Sequence, residues 1–172
     1  MARKLREIVE RCEALRRETA DDPWHGEALG TLLWALGLAE LPPYDTPFAP
    51  SALTPDPAGG ELRPAGDLDR ERESARLWHW RARTAELAEN GDAELPERFA
   101  TLDQAVAAAA VRGHERGLLP PPLRGDFRAH GAIYRHLSPD DVAEAHAIAA
   151  ERHHALAWLC GDSPWDDTPL DT

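Results

Sequence analysis

Proline decides where this chain is able to be helical. Seven of its 15 prolines fall between Pro42 and Pro64, joined there by Gly59-Gly60. A proline ring inside a helix removes a hydrogen bond and clashes with the preceding turn, so this stretch must run as irregular chain. Tyr44, Phe48 and Leu53 give it apolar groups to bury, so residues 42–66 read as a crossing within one domain and not as a linker between two. Elsewhere proline punctuates: Pro23 opens a segment, Pro120-Pro121-Pro122 follows the end of one, and Pro139 sits just inside the start of the last.

Between these marks the apolar residues repeat with a helical period. Leu5, Ile8, Val9, Cys12 and Leu15 share a face, with Glu7–Arg11 and Glu13–Arg17 as i,i+4 pairs on the wet side. Asp22 and Pro23 predict the cap and first residue of a second helix. Its stripe of Leu29, Leu32, Leu33 and Leu36, widened by Trp34 and Leu38, is stopped by Pro42. Asp67 caps a third helix that reaches Asn90-Gly91, where a left-handed stop is expected. Thr101-Leu102-Asp103-Gln104 has capping-box form and opens a fourth, ended by Gly117. Ser138-Pro139 starts the last, which runs to Cys160 and stops at Gly161. Alternating Val/Ile/Thr-rich runs are absent, so no strand is predicted. The expected fold is all-α: a compact bundle of about five helices with a long proline-rich loop. Residues 1–172 form a single helical domain in this reading, with 162–172 an acidic tail packed on the bundle.

Charge narrows the partners. The chain has 172 residues, 31 acidic against 19 basic, for a formal net charge of −12. A surface of that sign repels phosphate backbones and anionic lipid, so neither nucleic acid nor membrane is expected as a partner. The densest basic stretch, Arg3 to Arg17, is interleaved with Glu7, Glu10 and Glu13, as on a solvated helix face. The most apolar segment, Leu29 to Leu41, is too short to span a bilayer. No signal-peptide pattern opens the sequence, and Cys12 and Cys160 make no disulfide framework. A cytoplasmic location is the expectation.

The familiar catalytic fingerprints are missing. The glycines form neither a dinucleotide-binding nor a P-loop pattern, and no G-x-S-x-G elbow exists. His114-Glu115 begins like a zinc-protease motif, but Leu118 stands where the second histidine belongs. His25-Gly26-Glu27 lacks the P-C-x-x-C partner of zinc deaminases. Of the eight histidines, no pair has i,i+3 or i,i+4 spacing, and His146 and His153 lie roughly 10 Å apart along a helix. A metal site would have to join different helices, for example His79 with His153 or His154. Neither metal nor cofactor is expected.

Two arginines stand inside apolar stripes. On the last helix Arg152 lies among Val142, Ala145, Ile148, Ala149, Leu156 and Leu159; on the third, Arg81 shares a face with Leu77, Thr84 and Ala88. A guanidinium keeps its charge, so burial requires carboxylates or a bound anion. Asp45, Asp126, Asp166, Asp167 and Asp171 are the candidate carboxylates. Either they pin loops and tail to the bundle, or the arginines line a pocket for an anionic small molecule or a peptide carboxylate. In the nearby run Trp78-His79-Trp80-Arg81-Ala82-Arg83-Thr84, Trp78 reads as core and Trp80 lies on another side. His79, Arg83 and Glu86 occupy a wetter third face. Trp24 and Trp165 are expected to close the ends of the bundle.

Several strings together resemble an uncharacterised bacterial family whose members contain a domain of unknown function. They are Arg11-Cys12-Glu13-Ala14-Leu15, Leu32-Leu33-Trp34-Ala35-Leu36-Gly37-Leu38 with Leu41-Pro42-Pro43-Tyr44-Asp45, and Leu77-Trp78-His79-Trp80-Arg81-Ala82-Arg83-Thr84. Gly125-Asp126-Phe127 and Glu151-Arg152-His153-His154-Ala155-Leu156-Ala157-Trp158-Leu159-Cys160-Gly161 continue the match, and Trp165-Asp166-Asp167 and Asp171-Thr172 complete it. The resemblance covers nearly the whole chain and implies a helical domain of bacterial origin, without an activity. It departs at Ala157, where such sequences often carry Asn.

Two functions remain open. The first is a non-enzymatic accessory or protein-interaction domain, whose acidic surface suits a basic patch on another protein. Self-association through the Trp-rich helix as a homodimer is compatible with either function. The second is a small enzyme or anionic-ligand-binding protein, with its site where the third helix, the last helix and the acidic tail meet. There Arg81 and Arg152 would anchor an anion, His79 or His153 would serve as acid/base, and Asp166 or Asp167 would orient it.

Overall fold

Helix–helix packing dominates the computed structural model, which describes residues 3–91 and 97–172. Among the described residues the helices are α1 (Leu5–Glu18), α2 (His25–Ala35), α3 (Ala65–Asn90), α4 (Leu102–Glu115) and α5 (Pro139–Cys160). The all-α expectation holds. Helix α5, 22 residues long, packs along the 26-residue α3 on one side and against α2 on another. It is therefore shared by two hydrophobic cores. One gathers Trp78, Ala82, Val106, Phe127, Tyr134 and Ile148 from α3, α4, α5 and the segment before α5. The other joins Ile8, Cys12 and Leu15 of α1 to Leu29, Leu32 and Leu33 of α2 and to Leu159. Trp34 touches both.

Local chemistry explains the helix ends. The Thr101 hydroxyl accepts from the Gln104 N–H, and the Ser138 hydroxyl accepts from the Asp141 N–H. Each satisfies one orphan donor of the first turn. Gly91 ends α3 in the left-handed region at φ 75°. Helix α2 stops earlier than its apolar pattern suggests. Gly37 takes φ +71°, its N–H donates to the Trp34 carbonyl, and the Leu38 N–H donates to the Leu33 carbonyl. That pair of bonds is a Schellman closure, so Gly37 and not Pro42 stops the helix. At the other end Asp22 accepts from the Trp24 N–H, capping the turn before His25.

The proline-rich crossing lies over α2 and α5, with Tyr44 and Phe48 buried and Leu53 half-buried. The Phe48 ring meets the backbone of α2 at Gly30, where a Cβ would fall 2.5 Å from the ring.

Four expectations are corrected. A two-stranded hairpin does occur, β1 (Arg128–Ala129) against β2 (Ala132–Ile133). Its strands are two residues each, too short to display alternation in sequence. Arg11 pairs with Glu18 at 2.9 Å instead of Glu7, because its guanidinium also stacks on Trp165. His79 is buried and not on a wet face, since α5 covers that side of α3. Trp24 stays 37% exposed, whereas Trp165 packs on Trp158 and His154. Among the described residues no helix is long and apolar enough to cross a membrane.

Candidate functional site

Arg152 has no exposed surface. Its Nε and Nη2 donate to Glu27 Oε2 at 2.9 and 2.8 Å. Nη1 donates to the carbonyls of Pro42 and Pro43, and Nη2 also to that of Thr46. The guanidinium lies 5.0 Å from the ring centres of both Tyr44 and Phe48. The remaining Glu27 oxygen accepts from the Phe48 N–H. Every polar group in the cluster is matched, which is what makes so deep a charge pair tolerable. Its job is to fasten the proline crossing, whose carbonyls have no helix or sheet to bond.

Arg81 is fastened likewise. Nε and Nη2 form a fork on Asp126 at 2.8 and 3.0 Å, under the Tyr134 ring at 4.4 Å. Two tight turns present that carboxylate. Arg124 and Gly125, then His130 and Gly131, all take positive φ. The first pair closes a one-bridge loop between Leu123 and Asp126, and the second is the hairpin turn. Asp126 accepts further from the Phe127 and Arg135 N–H groups. The Tyr134 hydroxyl, by contrast, is buried with no partner among the described residues. Arg152 has every donor engaged, and Arg81 commits Nε and Nη2 to Asp126; the structure does not bring Arg81 and Arg152 together with the histidines as one site.

The histidines do meet. His79 of α3 and His153 of α5 approach with their Nδ1 atoms 3.0 Å apart. One must donate and the other accept, so the pair holds opposite tautomers when neutral. Burial is the main force that pulls each pKa from 6.5 to about 4, with His153, His146 and Arg83 adding to it at His79, and Arg76 and Arg72 at His153. His146 sits beyond, its ring centre 5.7 Å from that of His79. Among the described residues no group of three or more His, Cys, Asp or Glu is arranged to hold a metal ion.

His153 also lines an open cleft of about 580 Å³ between α3, α5 and the chain after Gly161. This is where the helices and the tail were expected to converge, with different charged residues. Arg72, Glu73 and Arg76 come from α3, and Asp162 and Asp171 from the closing segment. Ala157 is part of the wall. Asp166 and Asp167 lie in a short 3-10 turn, both exposed, and are not in the lining.

On the other side of α3 lies a second depression of about 360 Å³. Its walls are apolar, from Leu41, Pro42, Pro43, Leu118 and Pro120. Glu71 supplies a carboxylate there, held by the Tyr44 hydroxyl at 2.8 Å. Burial raises the Glu71 pKa, against the lowering effects of Tyr44, Arg152 and Arg70. Asp45 and Arg128 are the other charged lining residues. Sequence reasoning missed both Glu27 and Glu71. Glu27 was findable: it stands four residues before Thr31 within the buried run of α2, the same anomaly that marked Arg152. Glu71 was findable in the same way, since it shares a face of α3 with Leu68, Ala75 and Trp78, all buried.

No protein-family model, curated protein or solved structure matches the chain.

Proposed function

We propose that the chain is a non-enzymatic interaction domain that receives a basic segment of another protein in the Glu71 groove. The observation that carries this reading is a half-buried carboxylate at an apolar, proline-walled depression, held by one tyrosine hydroxyl. Lysine and arginine have the matching form, an apolar stem ending in a cation. A carboxylate already withdrawn from water gains more from such a cation than an exposed one does. The net charge of −12 steers basic partners toward the surface and repels nucleic acid. The saturation of Arg152 by Glu27 and three carbonyls, with Arg81 already forked on Asp126, supports binding over the catalytic alternative.

Fluorescence anisotropy with a labelled lysine- and arginine-rich peptide tests the reading. Saturable binding should weaken about tenfold in Glu71→Gln, which keeps shape and removes charge. Equal affinity of the wild type and Glu71→Gln, or binding as tight to a glutamate-rich peptide, would refute the assignment.

A further inference from the structure

The cleft at His153 lies on the opposite side of α3 from the Glu71 groove and has a different chemistry. Arg72 and Arg76 stand one turn apart on α3 and both line it. Each is held by a carboxylate three residues earlier, Arg72 by Asp69 at 3.3 Å and Arg76 by Glu73 at 2.8 Å. Those contacts engage one side of each guanidinium and leave donors over, because a guanidinium has five N–H groups. His153 turns its Nδ1 edge to His79 and lines the cleft with little of its surface exposed. If His79 donates across that contact, His153 carries its proton on Nε2 and becomes a third donor beside the two arginines.

The closing segment supplies the complement. Thr168, Pro169 and Asp171 form the outer wall, and the Asp171 charge acts on both Arg76 and His153. The base of this segment is anchored firmly. His154 donates from Nε2 to the Trp165 carbonyl at 2.9 Å, Trp165 packs on Trp158, and Arg3 donates to the Ser163 carbonyl. Beyond Thr168, no hydrogen bond among the described residues ties residues 169–172 to the helices. Asp171 therefore places a carboxylate at the cations without being fixed to them.

We infer that this cleft is a binding site for a small carboxylate-bearing molecule, held by Arg72, Arg76 and His153, with Asp171 as its intramolecular competitor. The arrangement has what carboxylate recognition needs: two guanidinium groups with spare donors, a neutral imidazole able to donate, and room for a metabolite-sized ligand. It also has a built-in measure of its strength, since any ligand must displace or out-compete a carboxylate already present at high local concentration.

The test is a titration of the full chain followed through its histidine ring resonances, with sodium succinate as the probe. Sodium chloride at matched ionic strength and inorganic phosphate are run in parallel. Saturable shifts at His79 and His153 are expected with succinate. Asp171→Asn should tighten binding about threefold by removing the competitor. Arg76→Gln and Arg72→Gln should each weaken it about tenfold, with helix content unchanged. Shifts equal in Arg76→Gln, Arg72→Gln and wild type would overturn the assignment, as would no saturable shift in Asp171→Asn. Binding of phosphate without succinate would overturn the carboxylate specificity. The Glu71→Gln variant should leave every one of these shifts in place, which separates this site from the peptide groove.

Discussion

Arg152 and Glu27 are 125 residues apart in sequence and share a two-bond contact in which Nε and Nη2 converge on one carboxylate oxygen. Their pairing joins α5 to α2 and, through the carbonyls of Pro42, Pro43 and Thr46, fixes the crossing to both. Removing one partner leaves the other charge buried alone. Glu27→Gln and Arg152→Met should each lower unfolding free energy by about 3–5 kcal/mol. The double variant should lose clearly less than the sum, because the survivor's penalty disappears. Urea denaturation of the four proteins checks this, and simple additivity would contradict it.

The Tyr134 hydroxyl is buried without a partner among the described residues, and burial raises its pKa to about 12. Its ring remains useful under the Arg81 guanidinium. Tyr134→Phe should therefore be neutral or stabilising by up to about 1 kcal/mol, against the usual loss for a buried truncation. A melting temperature several degrees lower would show that the hydroxyl does have a partner in solution.

Gly30 is needed for close approach and not for unusual dihedrals. A Cβ there would fall 2.5 Å from the Phe48 ring, and Phe48 is held from two sides by Glu27 and Arg152. Gly30→Ala gains helix propensity and still should destabilise, by about 1–3 kcal/mol, because the ring has nowhere to retreat. Chemical denaturation reads the sign directly, and a stabilised variant would mean the crossing yields.

The His79–His153 pair makes stability depend on pH in a defined sense. Both pKa values lie at about 4 in the folded chain, below the ordinary 6.5. The unfolded chain then binds protons that the folded one refuses, so the contribution is fully present above pH 6.5 and is lost as pH falls toward 4. Roughly 2–3 kcal/mol per histidine should disappear by about pH 4.5. His146 and Arg83 at His79, with Arg72, Arg76, His154 and Asp171 at His153, set the local field. Glu71 and Glu151, raised by burial, act in the opposite direction. Comparing urea midpoints of wild type and His153→Gln across this range isolates the pair, and parallel curves would sink the account.

The parts legible in sequence are those governed by near neighbours. Caps at Thr101 and Ser138, the stop at Gly91 and the Ile8, Cys12 and Leu15 face of α1 each depend on a few adjacent residues and occur where the pattern puts them, although Leu5 at the start of that stripe stays exposed. Arg152 and Arg81 were recognisable as buried charges because a cation inside an apolar stripe has no other explanation. Their partners divide instructively. Asp126 was among the expected carboxylates, whereas Glu27 was not, since helical periodicity says which face is inside but not what lies across from it. The same gap hid the cleft's cations: Arg72 and Arg76 are ordinary surface charges until the fold sets them beside His153.

The crossing has a consequence for how the chain is made. Its backbone path at Pro42 to Thr46 is held by bonds that span 106 to 110 residues, and synthesis delivers the loop long before it delivers Arg152. Until α5 leaves the ribosome, the early helices can pair but the loop over them has no donor to close on. A nascent chain stopped before residue 139 should therefore be cut by proteases between Pro42 and Phe48, and one carried past Cys160 should resist. For this molecule, a helix translated later sets the shape of a segment translated well before it.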